Sequence, residues 1–361
     1  MPRLPGSVVF RDQGGHCVGT GAEQKDGVMI WRAAVVAGCV MAAAFGQGAM
    51  AADPLVIAHR GASGVLPEHT LAAKAVAHAL RADCIEQDVV LTADGVPVVL
   101  HDIHLDTTTD VASVFPERAR TDGRYYAADF SLEEVRRLTV TERRDLKTGT
   151  AVYPGRFPLG QSRFFVPTLA EELQLIRGLD RATGRQTCLY PEVKAPAFHR
   201  DEGLDVSAAT LAVLREHGYD GAGVPVYLQT FDFQELKRLR SELGWTGKLV
   251  QLLGENRWRI APNTDYDHLK TPEGLAEIAA VADGVGPWLK QVVDAGGVTP
   301  FVRDAHEAGL VVHAYTVRAD ALPEGVEDLT SLIRLLVLEA KVDGLFTDFP
   351  GRTRTVLEAM K

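Results

Sequence analysis

The chain is predicted to fold as an α/β protein, a (β/α)8 TIM barrel, and three observations carry that prediction. Short apolar runs of strand length alternate with stretches of helical period along most of the sequence. Two of those stretches open on capping signatures. The ends of the strands are unusually polar, and a barrel of this class carries its chemistry at strand ends.

Strand-like runs fall at 55–58, 84–91, 188–193, 226–230, 248–253, 283–286, 310–317 and 344–347. In the first helical stretch Leu71, Ala75, Ala79 and Leu80 recur at helical spacing. Ser131-Leu132-Glu133-Glu134 and Thr168-Leu169-Ala170-Glu171 each place a hydroxyl three residues before a carboxylate, the pattern of a capping box. Two departures interrupt the repeat. Ala93-Asp94-Gly95 reads as a tight turn into 96–100, a hairpin extension of the second strand. The stretch from Asp102 to about Phe165 is too long and polar for a simple loop, and it reads as an ordered insertion (about 103–165) on the C-terminal face.

The barrel domain is expected over 52–361, behind an upstream extension and a secretory signal at 1–51. Met29-Ile30-Trp31-Arg32 precedes thirteen uncharged residues from Ala33 to Phe45, and Ala49-Met50-Ala51 offers small residues for cleavage. Residues 1–28 are polar and Gly-rich, which suggests that Met29 is the initiator. These features imply a periplasmic protein. A lipobox-like Val36-Ala37-Gly38-Cys39 leaves a lipoprotein as the alternative, although the stretch after Cys39 stays apolar. The net charge of −10 repels polyanions, so nucleic acid is excluded as a partner, and any anionic substrate needs local positive charge. Cys84 and Cys188 fall on neighbouring strands; a bridge and two separate buried thiols are both compatible with the sequence.

The candidate chemistry lies at the strand ends. The first strand terminates in His59-Arg60-Gly61. A lone histidine is often a satisfied core residue, but an adjacent arginine and a glycine turn argue for a site. Glu86 and Asp88 stand two apart in the second strand and share a face, as do Glu192 and Lys194 in the third. An isolated E-x-D is usually a surface pair. Three carboxylates converging from two strands would repel one another unless a cation lay among them, and all-oxygen ligation favours Ca²⁺, with Mg²⁺ second. His101, followed by Asp102 as a candidate orienting group, supplies a second imidazole for acid–base work. Arg60 and Lys194 are the local positive charge for a phosphodiester, or else merely neutralise the carboxylates. His199 and His313 read as structural or pocket-lining, and Asp265-Tyr266-Asp267 as a solvated loop.

A longer set of stretches sharpens this picture. Ile57-Ala58-His59-Arg60-Gly61-Ala62-Ser63-Gly64 is followed by Leu66-Pro67-Glu68-His69-Thr70, Glu86-Gln87-Asp88 and Leu100-His101-Asp102. Asp122-Gly123-Arg124-Tyr125-Tyr126 and Tyr153-Pro154-Gly155-Arg156-Phe157-Pro158 lie in the insertion. Tyr190-Pro191-Glu192-Val193-Lys194-Ala195-Pro196, Tyr227-Leu228-Gln229-Thr230-Phe231-Asp232, Tyr315-Thr316-Val317-Arg318 and Gly344-Leu345-Phe346-Thr347-Asp348-Phe349-Pro350 complete it. Together, and in this order from Pro54 to Lys361, they resemble the glycerophosphodiester phosphodiesterase family in its periplasmic bacterial branch.

The resemblance implies a TIM barrel in which Glu86, Asp88 and Glu192 bind calcium and His59 and His101 are the acid–base pair. It also implies that Arg60 and Lys194 contact phosphate, and that Gln229, Phe231, Trp288, Tyr315 and Asp348 line the pocket. The implied substrates are small glycerophosphodiesters, cleaved to sn-glycerol 3-phosphate and an alcohol. The family scheme has one histidine deprotonate the glycerol 2-hydroxyl, whose oxygen attacks phosphorus while the other protonates the leaving alcohol; which is which stays open. A same-fold phospholipase acting on intact lipids would need an exposed apolar rim, where the insertion reads as polar and Tyr-rich. A surface lipoprotein with a binding role is disfavoured by the intact site residues. No stable membrane insertion is expected, and the oligomeric state stays open, a homodimer included.

Overall fold

The computed structural model describes residues 53–361, apart from 221, 222 and 224. The secretory signal and Cys39 therefore lie outside the described residues. The strands are β1 (Leu55–Ala58), β2 (Cys84–Leu91), β3 (Pro97–Val99), β4 (Cys188–Val193), β5 (Tyr227–Thr230), β6 (Lys248–Leu253), β7 (Gly284–Pro287), β8 (Val293–Asp294), β9 (Gly297–Val298), β10 (Val311–Val317) and β11 (Gly344–Thr347). Parallel pairing runs β1-β2-β4-β5-β6-β7-β10-β11 and returns to β1, so eight strands close a barrel. Helices cover its outside, as buried apolar strands of this kind require. β3 folds back antiparallel on β2 through the Thr92–Val96 turn, where Gly95 takes a φ of +76°. β8 and β9 form a small separate ribbon.

Four helices matter for the site or its supports: α1 (Leu71–Ala79), α2 (Val111–Val114), α3 (Leu132–Val135) and α4 (Leu169–Thr183). Thr168 and Ser131 make both halves of their capping boxes, so the hydroxyls and glutamates satisfy the free N–H groups that open α4 and α3. Thr70 caps α1 by accepting from the Ala73 N–H.

Period two along the strands decides what stands inside the barrel. Cys84, Glu86 and Asp88 project from one face of β2, and Cys188, Tyr190 and Glu192 from the matching face of β4. Register pairs Cys84 with Cys188, Glu86 with Tyr190 and Asp88 with Glu192. The interior is therefore layered. The two cysteines are joined in a disulfide at one level, so of the two states open to the sequence the structure has the bridge. Tyr190, stacked on Tyr227 and bonded through its hydroxyl to His313 Nδ1 at 2.7 Å, fills the next with Ile57, Val250 and Phe346. The carboxylates stand above this plug, at the mouth.

The stretch between β3 and α4 is polar in composition yet holds a core of its own. It is ordered around an apolar cluster of its own, in which Leu105, Val111, Phe115, Phe130, Val135 and Leu138 pack with Val90, Val98 and Leu100 of the hairpin. Polar residues dominate its composition because one sheet-backed cluster suffices to hold it, and the rest faces solvent. Among the described residues no helix is long and apolar enough to cross a membrane.

Candidate active site

Glu86, Asp88 and Glu192 each offer an oxygen within 4.8 Å of the others, and all three are buried. Burial, with Asp88 nearby, pushes Glu86 well above the usual carboxylate range. Burial and Asp88 likewise push Glu192 up to about 8, against the pull of Lys194. Asp88 goes the other way: despite burial, Lys194 and His69 hold it well below its ordinary value. A protein that buries three carboxylates and leaves two of them driven toward protonation fits a hard cation among them. One detail strengthens the fit: Asp88 Oδ1 is buried and accepts no hydrogen bond.

Two imidazoles flank this cluster. His59 Nδ1 donates to Asp348 Oδ1 at 2.5 Å, which turns Nε2 toward Glu86 Oε2, 4.0 Å away. His101 Nδ1 donates to Asp102 Oδ1, also at 2.5 Å. Burial lowers His59 to about 4, with Asp348 opposing, and lowers His101 to about 4 with help from Arg60 and Lys194. Nearly a third of the His101 side chain is open to solvent, so its imidazolium is the easier of the two to support. His59, Arg60, Glu86, Asp88, His101, Glu192, Phe231, Trp288, Tyr315 and Arg318 line one cavity of about 150 Å³. A wider groove of about 530 Å³ shares His101, Glu192, Phe231 and Trp258 with it and runs on along Lys194, Phe198, Asp232 and Ile260. Trp258 and Ile260 leave an exposed apolar edge beside this groove.

Residues 59–352 match the model of the glycerophosphoryl diester phosphodiesterase family. The chain belongs to that family. A glycerophosphodiester phosphodiesterase of Haemophilus influenzae is 43% identical, over 91% of this chain and 97% of the relative. One of Treponema pallidum is 38% identical, over 88% and 92%. A phosphodiesterase of Oleispira antarctica, solved in complex with its product sn-glycerol-3-phosphate, superposes with a TM-score of 0.58 over 84% of this chain and 97% of that one. At 22% identity this last likeness speaks for the fold alone.

Within this phosphodiesterase scaffold the structure gathers most of the residues expected at the site and relocates others. Gln229 does not line the cavity. It is fully buried beside Glu192 in register, and its Nε2 donates to Glu86 Oε1 at 3.1 Å. Asp348 is likewise behind the site, where its second oxygen accepts from Arg156 Nη2 at 2.6 Å and Arg318 Nε at 2.9 Å. Both residues meet the site through another side chain, Gln229 through Glu86 and Asp348 through His59. Lys194 borders the groove rather than the inner cavity, with Nζ 2.8 Å from Glu192 Oε1. Arg60 borders the inner cavity; its Nη1 is engaged by Glu68 at 3.0 Å, and its buried Nε lacks a hydrogen bond. His199 accepts from the Leu91 N–H and is structural. Asp265 caps the short helix Tyr266–Leu269.

Several residues had no assigned role in the sequence. Arg143, from the insertion, donates to Glu68 Oε1 at 2.6 Å and to Asp102 Oδ2 at 2.7 Å. Arg156, from the same insertion, joins Asp348 to Asp320. Each carboxylate behind an imidazole is thus held by an insertion arginine. Glu68 and Arg156 did stand in the recognised stretches, and that was the signal available; Arg143 carried none.

Proposed function

We propose that this chain hydrolyses small glycerophosphodiesters to sn-glycerol 3-phosphate and an alcohol, using two histidines and one divalent cation, Ca²⁺ before Mg²⁺. The observation that carries the reading is the pair of imidazoles, each backed by a carboxylate at 2.5 Å, buried Asp348 and half-buried Asp102, on either side of the three-carboxylate cluster. Glu86, Asp88 and Glu192 would hold the cation, which supplies positive charge toward the phosphoryl oxygens. The family membership and the 43% identical relative's name support the substrate class.

Position divides the roles of the imidazoles. His59 faces the inner cavity only, with Nε2 free to take the proton of the glycerol 2-hydroxyl. The oxygen so released attacks phosphorus and forms a cyclic phosphate, while the bond from phosphorus to the alcohol breaks. His101 borders both cavity and groove, and its Nε2 gives a proton to the departing oxygen; the anionic ester and Asp102 favour its charged form. In the return step His101 takes a proton from water, whose oxygen opens the ring, and His59 returns the proton to the 2-oxygen. Arg60 and Arg318 border the inner cavity and offset the charge of the pentacoordinate phosphorus. The groove would then receive the alcohol.

The test is release of glycerol 3-phosphate from several glycerophosphodiesters by enzyme stripped of metal, then supplied with calcium or magnesium. Undiminished turnover in the stripped state would sink the metal reading. Liposome co-sedimentation separates this activity from one on intact lipids, for which the exposed Trp258 and Ile260 are the relevant side chains. We further propose export to the periplasm, on the apolar segment before Ala51 and on the Cys84–Cys188 bridge, which persists in oxidising compartments. The mass of the mature N-terminus reads that out, and separates cleavage from lipidation at Cys39.

A further inference from the structure

Lys74 sits on α1 with none of its side chain exposed, a rare place for a lysine. Its ammonium has three donors and three acceptors: Glu172 Oε1 on α4 at 2.7 Å, the Glu86 carbonyl oxygen, and His69 Nδ1 at 3.2 Å. An ammonium carries no lone pair, so Nδ1 of His69 must accept and the ring proton must sit on Nε2. That Nε2–H donates to Asp88 Oδ2 at 2.7 Å. Oδ2 is thereby engaged, and Oδ1, without a hydrogen bond, is the oxygen left to ligate. The backbone helps to hold the ring in place. His69 adopts a left-handed φ of 60°, and its N–H donates to the Arg60 carbonyl at 2.9 Å. Gln87, between the two ligands of β2, fastens the far end of the chain by donating to Glu172 Oε1 at 3.2 Å.

We infer that Glu172, Lys74 and His69 form a buried positioning chain that presents Asp88 to a divalent cation through a single oxygen. This rests on the reading that Glu86, Asp88 and Glu192 hold that cation. A buried ion pair alone is weak ground, because apolar replacement of such pairs is often harmless to stability. This pair differs in that it ends on a ligand. Partners that fix the orientation of a metal ligand change metal affinity about 10- to 100-fold.

Calorimetric titration of calcium into the stripped protein tests the inference at two levels. His69→Gln places an amide nitrogen about where Nε2 lies and keeps a donor to Asp88; its affinity is expected within about threefold of wild type. His69→Leu removes the donor, and the affinity is expected to fall by about tenfold or more. Lys74→Met with Glu172→Gln leaves Gln87 an acceptor and frees the ring to change tautomer. It should weaken binding about tenfold beside His69 but add nothing beside His69→Gln, because an amide needs no tautomer fixed. Wild-type affinity in His69→Leu would overturn the inference. So would an equal loss from the Lys74/Glu172 pair in both backgrounds, which marks a merely structural role, and so would a loss matched by a lower melting temperature of the metal-free protein. A wild type that binds neither calcium nor magnesium would instead refute the metal reading, and this inference with it.

Discussion

Replacing Asp348 by Asn changes one atom and tests the acid–base geometry directly. In the native protein one carboxylate oxygen accepts from His59 Nδ1 and the other from Arg156 and Arg318. Despite burial, these three partners hold Asp348 well below the usual carboxylate range, so it is an anion throughout the working pH. An asparagine must turn its oxygen toward the two guanidiniums, which only donate. Its NH₂ then faces His59 Nδ1, which can no longer donate and has to accept. The ring proton moves to Nε2, the atom needed as a base. Loss of general base catalysis is worth about 10²–10⁴-fold, so kcat for glycerophosphodiester hydrolysis should fall by about 10³, or about 4 kcal/mol of transition-state stabilisation. KM should stay within about threefold, because Asp348 does not reach the cavity. The assay is steady-state release of glycerol 3-phosphate, with the melting temperature as a check on folding. A folded Asp348→Asn enzyme whose kcat lies within threefold of wild type would refute the argument.

Three further outcomes follow from the same structure. Calcium at a hundred times its dissociation constant stabilises a single-site protein by about 2.7 kcal/mol; for a domain of about 310 residues that raises the melting temperature by about 4 °C over protein in chelator, by scanning fluorimetry. Arg143→Lys keeps the charge but loses the fork between Glu68 and Asp102, so kcat should fall by about tenfold with little change in melting temperature. His313 is neutral inside the barrel, where burial lowers it to about 4 from an ordinary 6.5. The unfolded chain binds the extra proton between those values, so this residue's contribution is full above pH 6.5 and is lost as pH falls toward 4. By pH 5 this share of the loss is about 2 kcal/mol, read by urea unfolding as the difference in pH dependence between wild type and His313→Gln.

The metal ligands show what a one-dimensional reading reaches. Glu86 and Asp88 stand two apart on a strand, and Glu192 stands on the next barrel strand in the same sense; alternation alone sets all three on the inner face. The eight barrel strands and both capping boxes were legible for the same reason, because each is a local pattern with its own period or spacing. The partners of polar groups were not. Gln229 and Asp348 carry the same kind of side chain as pocket residues, and only their buried hydrogen bonds to Glu86 and His59 show them standing behind the cavity. Nor could the insertion's use be read from its composition, since Arg143 and Glu68 lie 75 residues apart and Arg156 and Asp348 lie 192 apart.

The sequence by itself therefore determined the barrel, the inward carboxylates and the two histidines, because backbone geometry imposes those relations within a few residues. Tertiary structure alone decided that Asp348 backs His59, that Lys74 meets Glu172, and that the cysteines pair. Those contacts join distant segments, and their partners are selected by packing, burial and the need to satisfy every enclosed charge.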